Sequence, residues 1–170
     1  MEYKWLIVTL VVLSLVGSVS WVLPTPLQRA QAKIRKLAMQ KGVQVRISKL
    51  QGPREQGEVA PESHLATAYS LPRSSQAAKA IAKSHNWEIF KANGLHNKGL
   101  PGSWCWNRGE GALSQPQLAK LHSLLENLPK DVYAVGSSPI GVSAYWHEKG
   151  TANDLDNLVS ILEGLLEESL

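Results

Sequence analysis

The sequence predicts an α+β protein with one N-terminal transmembrane helix, a basic juxtamembrane helix, and a small, mostly antiparallel sheet packed with two helices. Three observations predict this fold class. Residues 5–23 form an uncharged apolar run, residues 26–41 have the spacing of a basic amphipathic helix, and short alternating segments outnumber helical ones after residue 43. A chain of 170 residues has room for one domain and an appendage.

Residues 5–23 have the length of a transmembrane helix. As a helix they would rise about 28 Å at about 1.5 Å per residue, close to a hydrocarbon core of about 30 Å. Trp5 and Trp21 lie near the two ends, where aromatic rings prefer the membrane interface. A cleaved signal peptide, with Ser18–Ser20 at the cleavage site, is the alternative. The basic cluster follows the apolar run, which favours the anchor.

The charge pattern predicts the orientation of this span. Residues 1–4 carry one acid and one base, whereas residues 24–42 carry five bases and no acid. The bases are Arg29, Lys33, Arg35, Lys36 and Lys41. The positive-inside rule then predicts a single-pass bacterial inner-membrane protein, with residues 1–4 extracytoplasmic and an α+β domain, residues 43–170, in the cytoplasm. The lone Cys105 suits a reducing compartment and excludes an intramolecular disulfide.

The basic helix over residues 24–42 is predicted to end at Gly42. Its five bases are expected to contact anionic lipid headgroups or a membrane-protein partner, and nucleic acid ranks below both. The chain from Asp154 to Leu170 carries five acids and no base. Attraction between the basic helix and this acidic tail is a further hypothesis, within the domain or between copies, so a homo-oligomer stays open.

Alternation and helical spacing place the elements of the domain. A capping box at Ser114 and Gln117 opens one helix, and a leucine stripe marks the other. The segment 73–86 is compatible with either a helix or a loop. Strands are predicted over 43–50, 65–71, 87–92, 104–108, 132–135 and 142–146, and helices over 114–128 and 153–168.

The N-terminal third resembles a known family. Leu23-Pro-Thr-Pro-Leu-Gln-Arg-Ala-Gln-Ala-Lys33, followed by Gly42-Val-Gln-Val45, is similar to the small single-span accessory subunit of the bacterial preprotein translocase, the YajC family. The whole chain resembles gammaproteobacterial single-span proteins that sometimes carry that label. The likeness covers residues 5–50, and the Arg-Pro-Gln-Gln run of that family reads Pro-Thr-Pro-Leu-Gln here. The resemblance implies a membrane-protein partner in a translocase-type complex.

Trp104-Cys105-Trp106 is the segment of the domain with the most chemical interest. In a strand, Trp104 and Trp106 share one face and Cys105 points to the other. Outward-facing tryptophans would form a possible binding surface for a peptide or a base, whereas inward-facing ones would belong to the core. Cys105 with a histidine would be the basis of an enzyme, but nothing in the sequence pairs them.

No metal site or cofactor is predicted. The five histidines never stand four residues apart, and no Cys-x-x-Cys occurs. The segment Gly109–Ser114 lacks the third glycine of a dinucleotide-binding loop, and a turn with a helix cap explains it. The sequence therefore predicts a non-catalytic accessory or scaffolding subunit that acts through protein–protein contacts at the cytosolic membrane face. The alternative is a membrane-tethered enzyme or ligand-binding domain using Trp104–Trp106.

Overall fold

The structure is a computed structural model, and it describes most of the chain. Side chains at 2, 18–22 and 64 lie outside this description. The chain divides into two compact units, Met1–Lys33 and Ile34–Leu170. The described residues are 2–52, 63–75, 78, 86–92 and 96–167.

The first unit contains helix α1, Glu2–Val22, and the start of helix α2, Pro26–Gln40. A capping box that the sequence analysis missed opens α2. The backbone N–H of Thr25 donates to Oε1 of Gln28 over 2.9 Å, and the N–H of Gln28 donates to Oγ1 of Thr25 over 3.3 Å. Pro26 follows at the first helical position, where its missing N–H is not needed.

Among the residues that the structure describes, no helix is both long enough and apolar enough to cross a membrane. The prediction of a transmembrane helix over residues 5–23 is therefore wrong, and the single-pass inner-membrane location is wrong with it. A helix does form over this run, as α1, Glu2–Val22.

The extracytoplasmic placing of residues 1–4 and the cytosolic placing of 43–170 depended on that span and are wrong with it. The lipid bilayer as a partner stays a prediction. Trp5, predicted as an anchor, has 77% of its surface exposed. The side chain of Trp21, the second predicted anchor, lies outside the described side chains.

The second unit is built on a six-stranded antiparallel sheet, and it confirms the α+β prediction. The strand order is β1-β2-β6-β5-β3-β4, and every neighbouring pair is antiparallel. Each predicted strand is present, within a few residues of its predicted bounds. The strands are β1, Gln44–Gln51; β2, Ser63–Pro72; β3, Trp87–Phe90; β4, Cys105–Arg108; β5, Val132–Ser138; and β6, Gly141–Trp146.

Two further helices complete the four helices of the described chain. Helix α3, Gln115–Glu126, begins after Ser114, whose N–H and Oγ both donate to Oε1 of Gln117 over 2.9 and 2.8 Å. This is the predicted capping box. Helix α4, Ala152–Glu167, begins after a third capping box, between Thr151 and Asp154. Most of the segment 73–86, left open between helix and loop, lies outside the described residues.

One face of the sheet, called here the helix-packed face, carries the main core. Leucines of α3 and α4 pack against aromatic and β-branched residues of the strands. Ile34 and Ala38 of α2 are buried in the same core, 6% and 0% exposed. The domain therefore begins inside α2 and not at residue 43. Gly42, at φ 81°, ends the helix as predicted, with the N–H of Val43 bonded to the carbonyl of Ala38.

The opposite face, called here the concave face, holds a smaller cluster. Every strand contributes to this cluster. At one end the two edges of the sheet meet, because Nδ2 of Asn107 in β4 donates to the carbonyl of Gln51 in β1 over 3.2 Å, so the sheet curls toward this face. The clustered residues are Leu50, Ala66, Phe90, Cys105 and Ala134, with Ala92, Tyr133 and Tyr145 packed against them.

Candidate protein-docking edge

Strand β1 forms one edge of the sheet, and its outer side is open. It pairs with β2 on one side, and no other described strand pairs with it. In an antiparallel strand, every second residue directs its N–H and C=O away from the paired neighbour. The contact between Asn107 and Gln51 closes only the C-terminal end of the strand. Within the described part of the chain, the other outward-facing positions of this eight-residue strand have no strand partner and can hydrogen-bond to another chain.

An exposed apolar patch lies beside this edge. Ile47 in β1 has 66% of its surface exposed, and Leu65 in β2 has 77% exposed. Ile47 is paired with Thr67, and Leu65 with Lys49. Thr67 and Leu65 lie on the same side of β2 as Tyr69, a residue of the main core, so both apolar side chains are on the helix-packed face. Farther along the same strands, Val43 and Tyr69 are covered by the core. Two large apolar side chains on adjacent strands form a contiguous patch, which distinguishes them from isolated exposed residues.

The edge is positively charged on both faces. Arg46 lies on the concave face and Lys49 on the helix-packed face, and both are exposed. From Gln28 to Lys49 the chain carries seven bases and no acid. We call the outer side of β1, with Arg46, Ile47, Lys49 and Leu65, the docking edge.

Arg35, one of the five predicted contact residues, is engaged inside the domain. Its Nε and Nη2 atoms donate to Glu148 Oε1 and Oε2 over 2.7 and 2.6 Å. The hydroxyl of Tyr69 also donates to Glu148 Oε1, over 2.7 Å. Glu148 is 3% exposed and sits at φ 58°, an uncommon conformation for a non-glycine residue. Arg35 therefore holds α2 to the sheet and is not free for a partner.

Two pKa shifts follow from this buried group. The hydrogen bond that Arg35 donates to Glu148 raises the pKa of Arg35 above its ordinary value. Burial, followed by the hydrogen bond to Glu148, raises the pKa of Tyr69 far above that of a free tyrosine. Arg35 therefore stays charged and Tyr69 stays protonated through the neutral range.

Lys41, a second predicted contact residue, pairs with the acidic tail. Its Nζ atom lies 3.1 Å from Oδ1 of Asp156 in α4. One ion pair of the kind that the charge pattern suggested is therefore present within the domain. Arg29, Lys33 and Lys36 are exposed. Their contact with anionic lipid headgroups or with a protein partner stays a prediction.

Trp104 and Trp106, predicted as a possible binding surface, are buried. They are 5% and 4% exposed and belong to the main core, the alternative that the sequence analysis set beside the binding surface. Cys105 points to the concave face, as predicted, and packs in its apolar cluster. The strand geometry thus separates the thiol from both indoles, and the tryptophan face offers no exposed ring for a peptide or a base.

The sequence analysis missed Ile47 and Leu65, the apolar residues of the docking edge. It assigned both to strands, and strand periodicity alone predicts that such residues face the core. One signal was present: Arg46 and Lys49 flank Ile47 in the sequence, and charged residues of this kind are typical of edge strands.

The fold and this edge define a class: an α+β protein with a six-stranded antiparallel sheet that leaves one long basic edge open. Within the described part of the chain, no group of three or more His, Cys, Asp or Glu is placed to hold a metal ion. No family model, curated protein or solved structure matches the chain. The resemblance of residues 5–50 to the YajC family stays a prediction.

Proposed function

We propose that the protein is a non-catalytic binding domain that docks a partner protein along the docking edge. The observation that carries the proposal is an open eight-residue edge strand next to the exposed side chains of Ile47 and Leu65. An extended segment of a partner would add as a seventh strand. Main-chain hydrogen bonds would supply affinity, and alternate side chains of the segment would supply specificity.

The charge of the edge selects an acidic partner segment. Aspartate or glutamate opposite Arg46 and Lys49 would form cross-strand ion pairs, each contributing roughly 0.2–1 kcal/mol. An apolar side chain on the same segment would cover Ile47. The partner chemistry is therefore an extended segment with two acidic residues three positions apart, opposite Arg46 and Lys49, and an apolar residue between them opposite Ile47.

The same charges act against pairing between two copies of the chain. An antiparallel pairing of two β1 strands joins residues of the same sheet face, so a register centred on Arg46 or on Lys49 would place two like charges directly opposite each other. Like charges directly opposite each other destabilise a pair of strands. A heterologous acidic segment is thus favoured over a second copy.

The test is binding of a fluorescein-labelled peptide that repeats glutamate-serine-valine to the full chain, followed by fluorescence anisotropy. A peptide that repeats lysine-serine-valine is the matched control. We expect saturable binding of the acidic peptide only, weakened about fivefold or more by Lys49→Glu, since a favourable pair becomes a repulsive one. Lys120→Glu on α3, far from β1 in the fold, is the charge control and should leave affinity unchanged.

Strand addition also predicts where the peptide binds. Amide resonances of β1 should shift on titration, and Ile47→Asp should weaken binding more than Ile140→Asp. Ile140 is 81% exposed in the turn between β5 and β6, on no edge of the sheet. Equal affinity for the acidic and basic peptides, or binding insensitive to Lys49→Glu, would contradict the proposal.

A further inference from the structure

We propose that helix α1 pairs with α1 of a second copy of this chain, through a leucine seam formed by Leu6, Leu10 and Leu13. The observation behind the proposal is the exposure of the helix. Eleven large apolar side chains of α1 are from 49% to 82% exposed, and every described side chain of the helix is exposed. Helix α1 lies in the first unit and the docking edge in the second, so the inference stands apart from the proposed function.

The exposed surface of α1 is large enough for a specific interface. Scaled by these exposures, its nine aliphatic and two aromatic side chains leave roughly 800 Å² of apolar surface in water. The largest apolar patch on a typical monomer is about 300–600 Å². A specific interface covers about 800 Å² on each partner. Helix α1 therefore carries more apolar surface than a monomer usually exposes, and about as much as one side of a stable dimer.

One side of α1 has the residue spacing that two packed helices require. Leu6, Leu10 and Leu13 follow one another at intervals of four and three residues, so they form one stripe along the helix. Gly17 continues the stripe after another four residues, and nothing lies within 4 Å of the place that its Cβ atom would occupy. Leucines at this spacing pack into the gaps of a facing helix, and a glycine lets the two backbones approach closely.

The opposite side of α1 reaches less far from the helix axis. Val8 and Val12 are 52% and 51% exposed, whereas the three leucines of the seam are 65% or 66% exposed. Leucine has the longer side chain and loses more contact with water when a second helix covers it. The seam is therefore the side on which pairing buries the most apolar surface.

The charge pattern allows two copies of α1 to meet. No charged residue occurs from Trp5 to Gln28, so the pairing brings no like charges together along the seam. This is the reverse of β1, where Arg46 and Lys49 act against the pairing of two copies. The hydroxyl of Thr9, beside the seam, already donates to the carbonyl of Trp5 over 2.8 Å and needs no new partner. A second copy thus fits α1 without an uncompensated polar group.

The test is sedimentation velocity of the full chain in aqueous buffer across the micromolar range. We expect a reversible dimer. Leu10→Asn should weaken dimerisation about tenfold or more, because it places an amide in the centre of the seam. Val8→Asn, the same kind of change on the opposite side of α1, is the matched control and should weaken it less than about twofold. Thermal unfolding checks that the sheet domain is unchanged in both variants.

Disulfide crosslinking locates the seam independently. The natural Cys105 is 1% exposed, so a cysteine introduced on α1 is the accessible thiol. With a mild oxidant, Leu10→Cys should form a covalent dimer, and Val8→Cys should form at least tenfold less under the same conditions.

Several results would overturn the inference. One is a chain that stays monomeric over this range, or that forms aggregates without a defined mass. Another is an equal effect of Leu10→Asn and Val8→Asn, or equal crosslinking of the two cysteine variants, which would show association without a leucine seam. A monomer that binds phosphatidylcholine vesicles through α1 would make lipid the occupant of this surface. None of these results bears on the peptide experiment at β1, so the two proposals fail separately.

Discussion

The two edges of the sheet differ in length, burial and charge. Strand β1 has eight residues, is largely exposed, and carries Arg46 and Lys49. Strand β4 has four residues and begins with Cys105 and Trp106, which are 1% and 4% exposed. Exposed strand edges attract unwanted pairing, and proteins protect them by covering them or by charging them. In this domain a loop covers β4, whereas β1 carries the charged side chains of Arg46 and Lys49.

The two edge strands, β4 and β1, differ in whether a loop contacts their outer backbone groups. The carbonyl of His96 accepts the N–H of Trp106, so a loop residue satisfies the backbone of β4. No equivalent segment lies along β1 in the described chain, where only the end of the strand is contacted, by Asn107. The described residues thus close one edge with a loop and leave most of the longer edge uncovered, which is the contrast on which the proposed docking edge rests.

The largest expected difference between the edges is in stability. Trp106→Ala should lower the free energy of unfolding by about 3–5 kcal/mol, because it removes a large buried side chain and leaves a cavity. Ile47→Ala at the docking edge should change it by no more than about 0.5 kcal/mol, as expected at an exposed position. Urea denaturation of both variants measures the difference. A loss of several kcal/mol at Ile47 would show that β1 is covered.

The next effect concerns the ion pair that fixes α2 near the β1 side of the domain. Glu148→Gln should lower the free energy of unfolding by about 2–3 kcal/mol. This is less than for a fully buried pair, since the Arg35 side chain is 36% exposed to water. Asp156→Asn, which removes the exposed partner of Lys41, is the matched control and should cost less than about 1 kcal/mol. Equal losses from urea denaturation would contradict the different burial of the two pairs.

Removing the charges of the docking edge should make β1 as apolar as β4 and should promote association between two copies of the chain. The double change Arg46→Val and Lys49→Val removes the repulsion between two β1 strands. It should raise the association constant at least tenfold, about 1.4 kcal/mol, in sedimentation velocity. The charge-matched control is Lys120→Val with Lys130→Val, which alters the surface outside both edges. Self-association equal to that of the control would show that these charges do not protect the edge.

The smallest expected effect is a loss of stability at alkaline pH through Tyr69, which lies in β2 beside β1. Because burial and Glu148 raise its pKa in the folded state, the folded protein holds this proton after the unfolded chain has released it. The stabilisation is therefore complete below about pH 10, the ordinary tyrosine value, and declines as the pH rises above it. Between pH 9.5 and 10.5 the contribution of Tyr69 should fall by less than about 1 kcal/mol.

Melting temperatures across this pH range measure the effect. Tyr69→Phe should be less stable at neutral pH, because the hydrogen bond to Glu148 is lost, and should show a shallower alkaline decline. Tyr3→Phe, on α1, is the control. A decline as steep in Tyr69→Phe as in the unchanged protein would assign the alkaline sensitivity to other groups.

Much of the fold was predictable because local chemistry specifies it. The capping box at Ser114 and Gln117, the glycine that ends α2, and the alternation that places Cys105 opposite its tryptophan neighbours all depend on short-range geometry. The transmembrane helix was the main error. The apolar run does form a helix, but the described helix does not meet the requirements for crossing a membrane. The hydropathy of this run predicted a helix, which is present, and a membrane-spanning role for it, which is wrong.

The sequence by itself determined the elements and their periodicity, since hydrogen bonding within a helix and alternation along a strand act over a few residues. The tertiary structure decided which strands became edges, because strand order depends on pairing between distant segments such as β2 with β6 and β3 with β5. It also decided the exposure of Ile47, the burial of Trp106 and the pairing of Arg35 with Glu148. Burial and ion pairing depend on which surfaces meet, and that is settled only when the chain has folded.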